Sequence, residues 1–154
     1  MTASGRLWTI TGSATAIRGI DLTDDSVGPP IRLGAFCTEL AASGATVWAS
    51  CLTDEMLLRV DTRSGEVTGR VEFPGIRQVA AGDSVWVGFD EGVAQVDPDT
   101  LEVEALYDAH IGFGGSIYVD DDRVLLRSDG GPFLIAIDPA THTAVETIGG
   151  PRPS

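Results

Sequence analysis

Apolar and polar positions alternate along this chain in short runs, roughly four to seven residues long, broken by Gly or Asp at nearly every reversal. The stretch SVWVGFDEGVAQVDPDTLEV, from Ser84 to Val103, reads as strand, turn, strand, turn, strand. TVWASCLTDEMLLRVDTRSGEV and RLWTITGSATAIRGIDLTDDSV repeat that order earlier in the chain. No helical period of useful length interrupts the series, and the pattern predicts an all-β protein.

Three anchors recur at intervals of about 40 residues. The first is a large apolar residue inside a strand: Trp8, Trp48, Trp86 and, in the last unit, Leu125. The second is an Asp closing the next strand: Asp21, Asp61, Asp97 and Asp138. The third is a small apolar residue six positions on: Val27, Val67, Val103 and Ala144. The segments after the Asp residues are DLTDDSV, DTRSGEV, DPDTLEV and DPATHTA. An Asp at a strand end accepts bonds from amides two or three residues on, and Pro98 and Pro139 preset the first corner. These carboxylates are therefore expected to make turns, and the three Trp residues to lie in the core.

The repeat predicts a β-propeller-type array of four four-stranded antiparallel blades, at about residues 6–34, 36–73, 75–107 and 113–148. The first unit starts at its second strand, so the first blade is expected to lack its inner strand and the total to be about 15. An open arc leaves an apolar sheet face bare at each end, which monomers rarely tolerate beyond a few hundred Å². Three solutions stay open: a four-bladed ring, a homodimer completing an eight-bladed ring, or one portion of a longer propeller.

The order of strand, VW, polar turn, strand ending VD and then P-x-T resembles the YVTN and virginiamycin-B-lyase-like group of β-propellers, from about Leu7 to Ile148. The resemblance implies the fold. Lyases of that group carry a His near the start of an inner strand, a Glu near the end of the next, and a bound divalent cation. The matching pairs here are Cys37 and Cys51, Gly75 and Phe89, and Gly114 and Ser128. None is His and Glu, so no catalytic residue carries over.

Composition narrows the function classes. A formal net charge of −13, with ten basic residues that are all Arg, argues against nucleic acid or an anionic membrane as partner. No stretch approaches the roughly 18 apolar residues of a membrane span. Met1 to Gly5 has neither a basic nor an apolar leader region, and no signal peptide is expected. The compartment stays unassigned.

Candidate chemistry is sparse. In CTELAASGATVWASC the reversal centres on Gly44, so a simple hairpin sets Cys37 opposite Cys51. They form a disulfide in an oxidising compartment or remain two small hydrophobes in neighbouring strands. No CxxC pair supports zinc. The TDEM and FDEG loops put Asp54-Glu55 and Asp90-Glu91 at equivalent places around one mouth, with His110 and Asp129 in neighbouring loops. Repeated acidic pairs there suit a cationic ligand or a basic partner surface. The Asp run at Asp120–Asp122 reads as a polar turn, and His142 as solvated in an outer turn. No metal site, cofactor or catalytic set is expected. The favoured reading is a non-catalytic module that binds a protein partner or small ligand at its loop-rich face. The alternative is a lyase or hydrolase whose site another chain completes.

Overall fold

The computed structural model describes residues 2–3, 5–108, 115–120, 123–127, 134–138, 140–141 and 143–148. Among them, every regular element is a strand, and the strands form four antiparallel meanders. Sheet 1 contains β1 (Thr2–Ala3), β2 (Arg6–Ile10), β3 (Ala16–Asp21) and β4 (Ile31–Arg32). Sheet 2 contains β5 (Glu39–Ser43), β6 (Thr46–Cys51), β7 (Met56–Asp61) and β8 (Glu66–Glu72). Sheet 3 contains β9 (Ile76–Ala81), β10 (Val85–Phe89), β11 (Gly92–Val96) and β12 (Val103–Tyr107). Sheet 4 contains β13 (Ser116–Asp120), β14 (Arg123–Arg127), β15 (Leu134–Asp138) and β16 (Thr143–Ile148). The sequence predicts no inner strand for the first unit. The structure has a short one, β1, whose Thr2 and Ala3 pair with Leu7 and Arg6.

The first strand of each sheet lies beside the first strand of the next: β1 by β5, β5 by β9, and β9 by β13. The sheets stack as an open arc. Three buried clusters fill the three seams. Trp8, Ile17 and Ile31 of sheet 1 meet Val47, Ala49, Leu58 and Val60 of sheet 2. Trp48, Ala41 and Leu57 meet Val85, Val87, Ala94 and Val96 of sheet 3. Trp86 and Ala80 meet Val124, Leu126 and Ile137 of sheet 4. The alternation of a strand explains this: Trp48 and Val47 are neighbours in sequence, so they point to opposite faces and serve different seams. All three Trp residues are buried, as the repeat predicts.

The Asp turns form as expected. Asp21 Oδ1 accepts from Thr23 N at 2.9 Å, and Asp61 Oδ1 from Arg63 N at 2.7 Å. Asp97 Oδ1 takes Asp99 N and Thr100 N, and Asp138 Oδ1 takes Ala140 N and Thr141 N. Hydrogen bonds to the ionised form hold the Asp21 and Asp97 carboxyls below their usual range, led by the Thr23 hydroxyl and the Thr100 amide. The residue four places on closes each of the first three turns with φ of +59, +73 and +65° at Asp25, Gly65 and Leu101. A leucine in that region is strained. Leu101 is held there by packing into the seam of sheets 2 and 3, where Gly69 leaves it room: a Cβ on Gly69 would stand 2.7 Å from Leu101 Cδ1. Arg59 Nη1 braces the same turn by donating to the carbonyls of Pro98 and Asp99 at 2.8 and 2.9 Å.

Cys37 and Cys51 are joined by a disulfide inside the first buried cluster. The hairpin register pairs Ser43 with Thr46, so the reversal falls between Gly44 and Ala45 rather than on Gly44. Cys37 lies before β5 in the connector from sheet 1, and its amide donates to Ala14 O at 2.8 Å. The bridge thus ties the connector between sheets 1 and 2 to the end of β6.

Candidate functional site

The reversals after the second strand of each sheet and the connectors between sheets meet along one rim. Hydrogen bonds join them. Asp54 Oδ2 accepts from Phe36 N at 2.7 Å, fixing the β6–β7 loop to the connector that precedes it. Glu55 Oε1 accepts from Gly75 N at 3.2 Å, and Glu55 O accepts from Phe73 N at 2.7 Å, fixing the same loop to the next connector. Asp90, in the β10–β11 loop, forms an ion pair with Arg77 of β9. Gly75 has φ of +71°, and a Cβ there would sit 3.0 Å from Asp90 Oδ2, so this connector needs glycine twice over. Three of the acidic residues that the sequence singles out therefore position the rim.

Two grooves open on this rim, and their linings differ in character. A groove of about 480 Å³ lies between sheets 2 and 3, lined by Glu55, Asp90 and Glu91 together with Phe73, Phe89 and Leu106. The Phe73 and Phe89 rings pack edge to face with centroids 5.5 Å apart. Leu106 is 67% exposed at its margin. The structure thus brings Glu55, Asp90 and Glu91 around one apolar floor. Asp54 is sent to the other groove, of about 810 Å³, where the β6–β7 loop and the connector after β4 meet the outward side of sheet 1. There Thr11, Ser13 and Thr15 link hydroxyl to hydroxyl at 3.1 and 3.0 Å, and the exposed Arg18 and Arg32 join the wall. His110 and Asp129 lie outside the described residues, as do His142 and Asp121–Asp122.

A smaller cavity of about 200 Å³ lies at the start of the inner strands, lined by Thr38, Glu39, Leu52, Arg77 and Gln78. Burial pushes the Glu39 carboxyl above its usual range, against a hydrogen bond from the Val79 backbone that lowers it. Gln78 is buried; its Nε2 donates to Gly115 O, while its Oε1 is a buried acceptor with no partner among the described residues. Among the described residues, no group of three or more His, Cys, Asp or Glu side chains is arranged to hold a metal ion.

Sequence reasoning reached the acidic pairs through the repeat but missed their surroundings. Phe73 and Phe89 are far apart in the chain and meet only because sheets 2 and 3 stack. The basic wall was legible: Arg18 occupies the repeat position of Leu58, Ala94 and Ile135, where the other units are apolar.

No family model matches this chain, and no curated protein matches it. Solved structures do. Hydrazine synthase of Kuenenia stuttgartiensis is similar over 94% of this chain and 46% of its own, with a TM-score of 0.73 and 14% identity. BamB of Moraxella catarrhalis is similar over 88% of this chain and 42% of its own, with a TM-score of 0.67 and 14% identity. Glutaminyl cyclase of Myxococcus xanthus is similar over 96% of this chain and 68% of its own, with a TM-score of 0.65 and 16% identity. Hydrazine synthase and BamB are β-propeller folds, and the chain spans about half the length of each. At these identities the likeness shows the fold: the chain is a β-propeller-type array, and its four sheets are blades.

Proposed function

We propose that this chain is a non-catalytic propeller module that binds the cationic group of a protein partner or small ligand in the groove between blades 2 and 3. One observation carries the reading: Glu55, Asp90 and Glu91 border a cavity floored by the Phe73–Phe89 pair. Carboxylates at a rim attract a guanidinium or ammonium, and an aromatic floor receives both its charge and its aliphatic stem. Arg77 already supplies one such partner from within, pairing with Asp90 and leaving Glu91 exposed. The clamped loops keep this rim in shape before anything binds, which lowers the ordering cost of association. Fold alone favours no chemistry, since propellers host unrelated activities.

The test is titration with a short Arg-rich peptide, followed by calorimetry at low and high salt, beside a peptide of the same length with Glu in place of Arg. The Arg peptide is expected to bind, more weakly as salt rises, and Glu91→Gln to reduce its affinity several-fold. Equal binding of both peptides, or no effect of Glu91→Gln, would overturn the reading. The lyase reading, which rests on the resemblance alone, requires turnover that EDTA and a His110→Ala change both abolish.

A further inference from the structure

The three interior seams are built to one plan. A row containing Trp on one blade packs against a four-residue apolar face on the next: Val47, Ala49, Leu58 and Val60, or Val85, Val87, Ala94 and Val96, or Val124, Leu126, Ile135 and Ile137. The plan leaves two half-seams at the ends of the arc. On blade 4 the outward row is Tyr118, Leu125 and Ala136, paired across β13, β14 and β15. In the same register blade 2 has Ala41, Trp48 and Arg59, and blade 3 has Ala80, Trp86 and Gln95. Where Trp has become Leu, the neighbouring Ala has become Tyr, so the row keeps its apolar bulk. Among the described residues no further blade lies against it: Tyr118 is 56% exposed and Leu125 half-buried, while Ala136 is buried.

On blade 1 the complementary face consists of Leu7, Thr9, Arg18 and Ile20, with Leu7 paired to Ile20 and Thr9 to Arg18. Leu7 and Ile20 keep the apolar corners and belong to none of the buried clusters. Arg18 is exposed and stands where the interior blades carry Leu58, Ala94 and Ile135. A guanidinium is the charged group best matched to the ring of a tyrosine.

We infer that the blade 4 face of one chain docks on the blade 1 face of a second copy, and the reverse, so that two chains close one eight-bladed ring. The two end faces are opposite halves of one repeated seam, so each fits the other and neither fits itself. Such head-to-tail contacts make a ring when the rotation closes and a filament when it does not. This pairing is independent of the groove between blades 2 and 3.

The mass of the unaltered chain in solution, measured by light scattering, is expected to be twice that of one chain. Tyr118→Asp and Ile20→Asp, each checked for native circular dichroism, are each expected to give monomers. Mixing the two is expected to restore association, because one intact blade 1 face and one intact blade 4 face are then present. A monomeric unaltered chain overturns the inference. So does a dimer that survives Ile20→Asp, since that dimer must join like faces.

Discussion

Trp48 and Leu125 occupy the same place in their blades, with different surroundings. Trp48 is covered by Val85, Val87, Ala94 and Val96 of the next blade, whereas the row of Leu125 faces outward with Tyr118 beside it. The contrast between Val87 and Thr9, or between Leu58 and Arg18, repeats this at the other end of the arc. Identical strand geometry supports a dry seam or a half-polar face. What differs is whether a neighbouring blade removes water from the side chains. The interior faces that receive the Trp rows hold only apolar residues, and the buried Gln95 in a Trp row is paired with Ser84 and Tyr107; an unpaired polar group there would be costly, a penalty that the outward positions of a single chain escape.

Substitutions sharpen this contrast. The largest loss is expected from Trp48→Ala or Trp86→Ala, about 3–5 kcal/mol by denaturant unfolding, since each leaves a cavity in a closed seam. Leu125→Ala, at the same repeat position, is expected to cost under about 1.5 kcal/mol in the monomeric Ile20→Asp background. Equal losses would mean that the outward face is already covered within one chain.

Reduction of the Cys37–Cys51 bridge comes next. It closes a loop of sequence separation 14, and its loss is expected to cost roughly 2–4 kcal/mol, read as a lower urea midpoint under reducing conditions. Gly75→Ala is expected to cost about 1–2 kcal/mol, because φ is +71° there and Asp90 leaves little room for a Cβ. On the outward face, Thr9→Ala should change monomer stability by no more than about 0.5 kcal/mol.

The smallest effect is one of pH. The folded carboxyls of Asp21 and Asp97 titrate below the ordinary value of 3.8, so they bind fewer protons than in the unfolded chain. Their contribution is present above pH 3.8 and is lost as pH falls through the folded values. Asp97→Asn should flatten the acid limb of a stability–pH profile. Glu39 runs the other way: burial raises its folded value, so it disfavours the fold as pH rises through that range, and Glu39→Gln should relieve this.

The groove shows where reading along the chain stops. The repeat placed Asp54-Glu55 and Asp90-Glu91 at equivalent loop positions, and the structure puts both pairs on the rim. It could not show that Asp54 serves Phe36 N while Glu55 serves Gly75 N, because those amides belong to connectors whose path depends on how the blades stack. Arg77 was missed for a different reason: it meets Asp90 within one blade, across a hairpin whose register shifts between Gly88 and Phe89.

The amino-acid sequence by itself determined the period, the strand alternation, the Asp turns and the residues that become core, because each depends on neighbours within about one turn or strand. Tertiary structure alone decided the inner strand at Thr2–Ala3, the disulfide partners' offset and the pairing of Phe73 with Phe89. It also decided which apolar rows are covered. The short inner strand and the offset follow from pairing register within a blade, which the repeat leaves open; the ring pair and the covered rows depend on contacts between blades, where distance along the chain carries no information about distance in space.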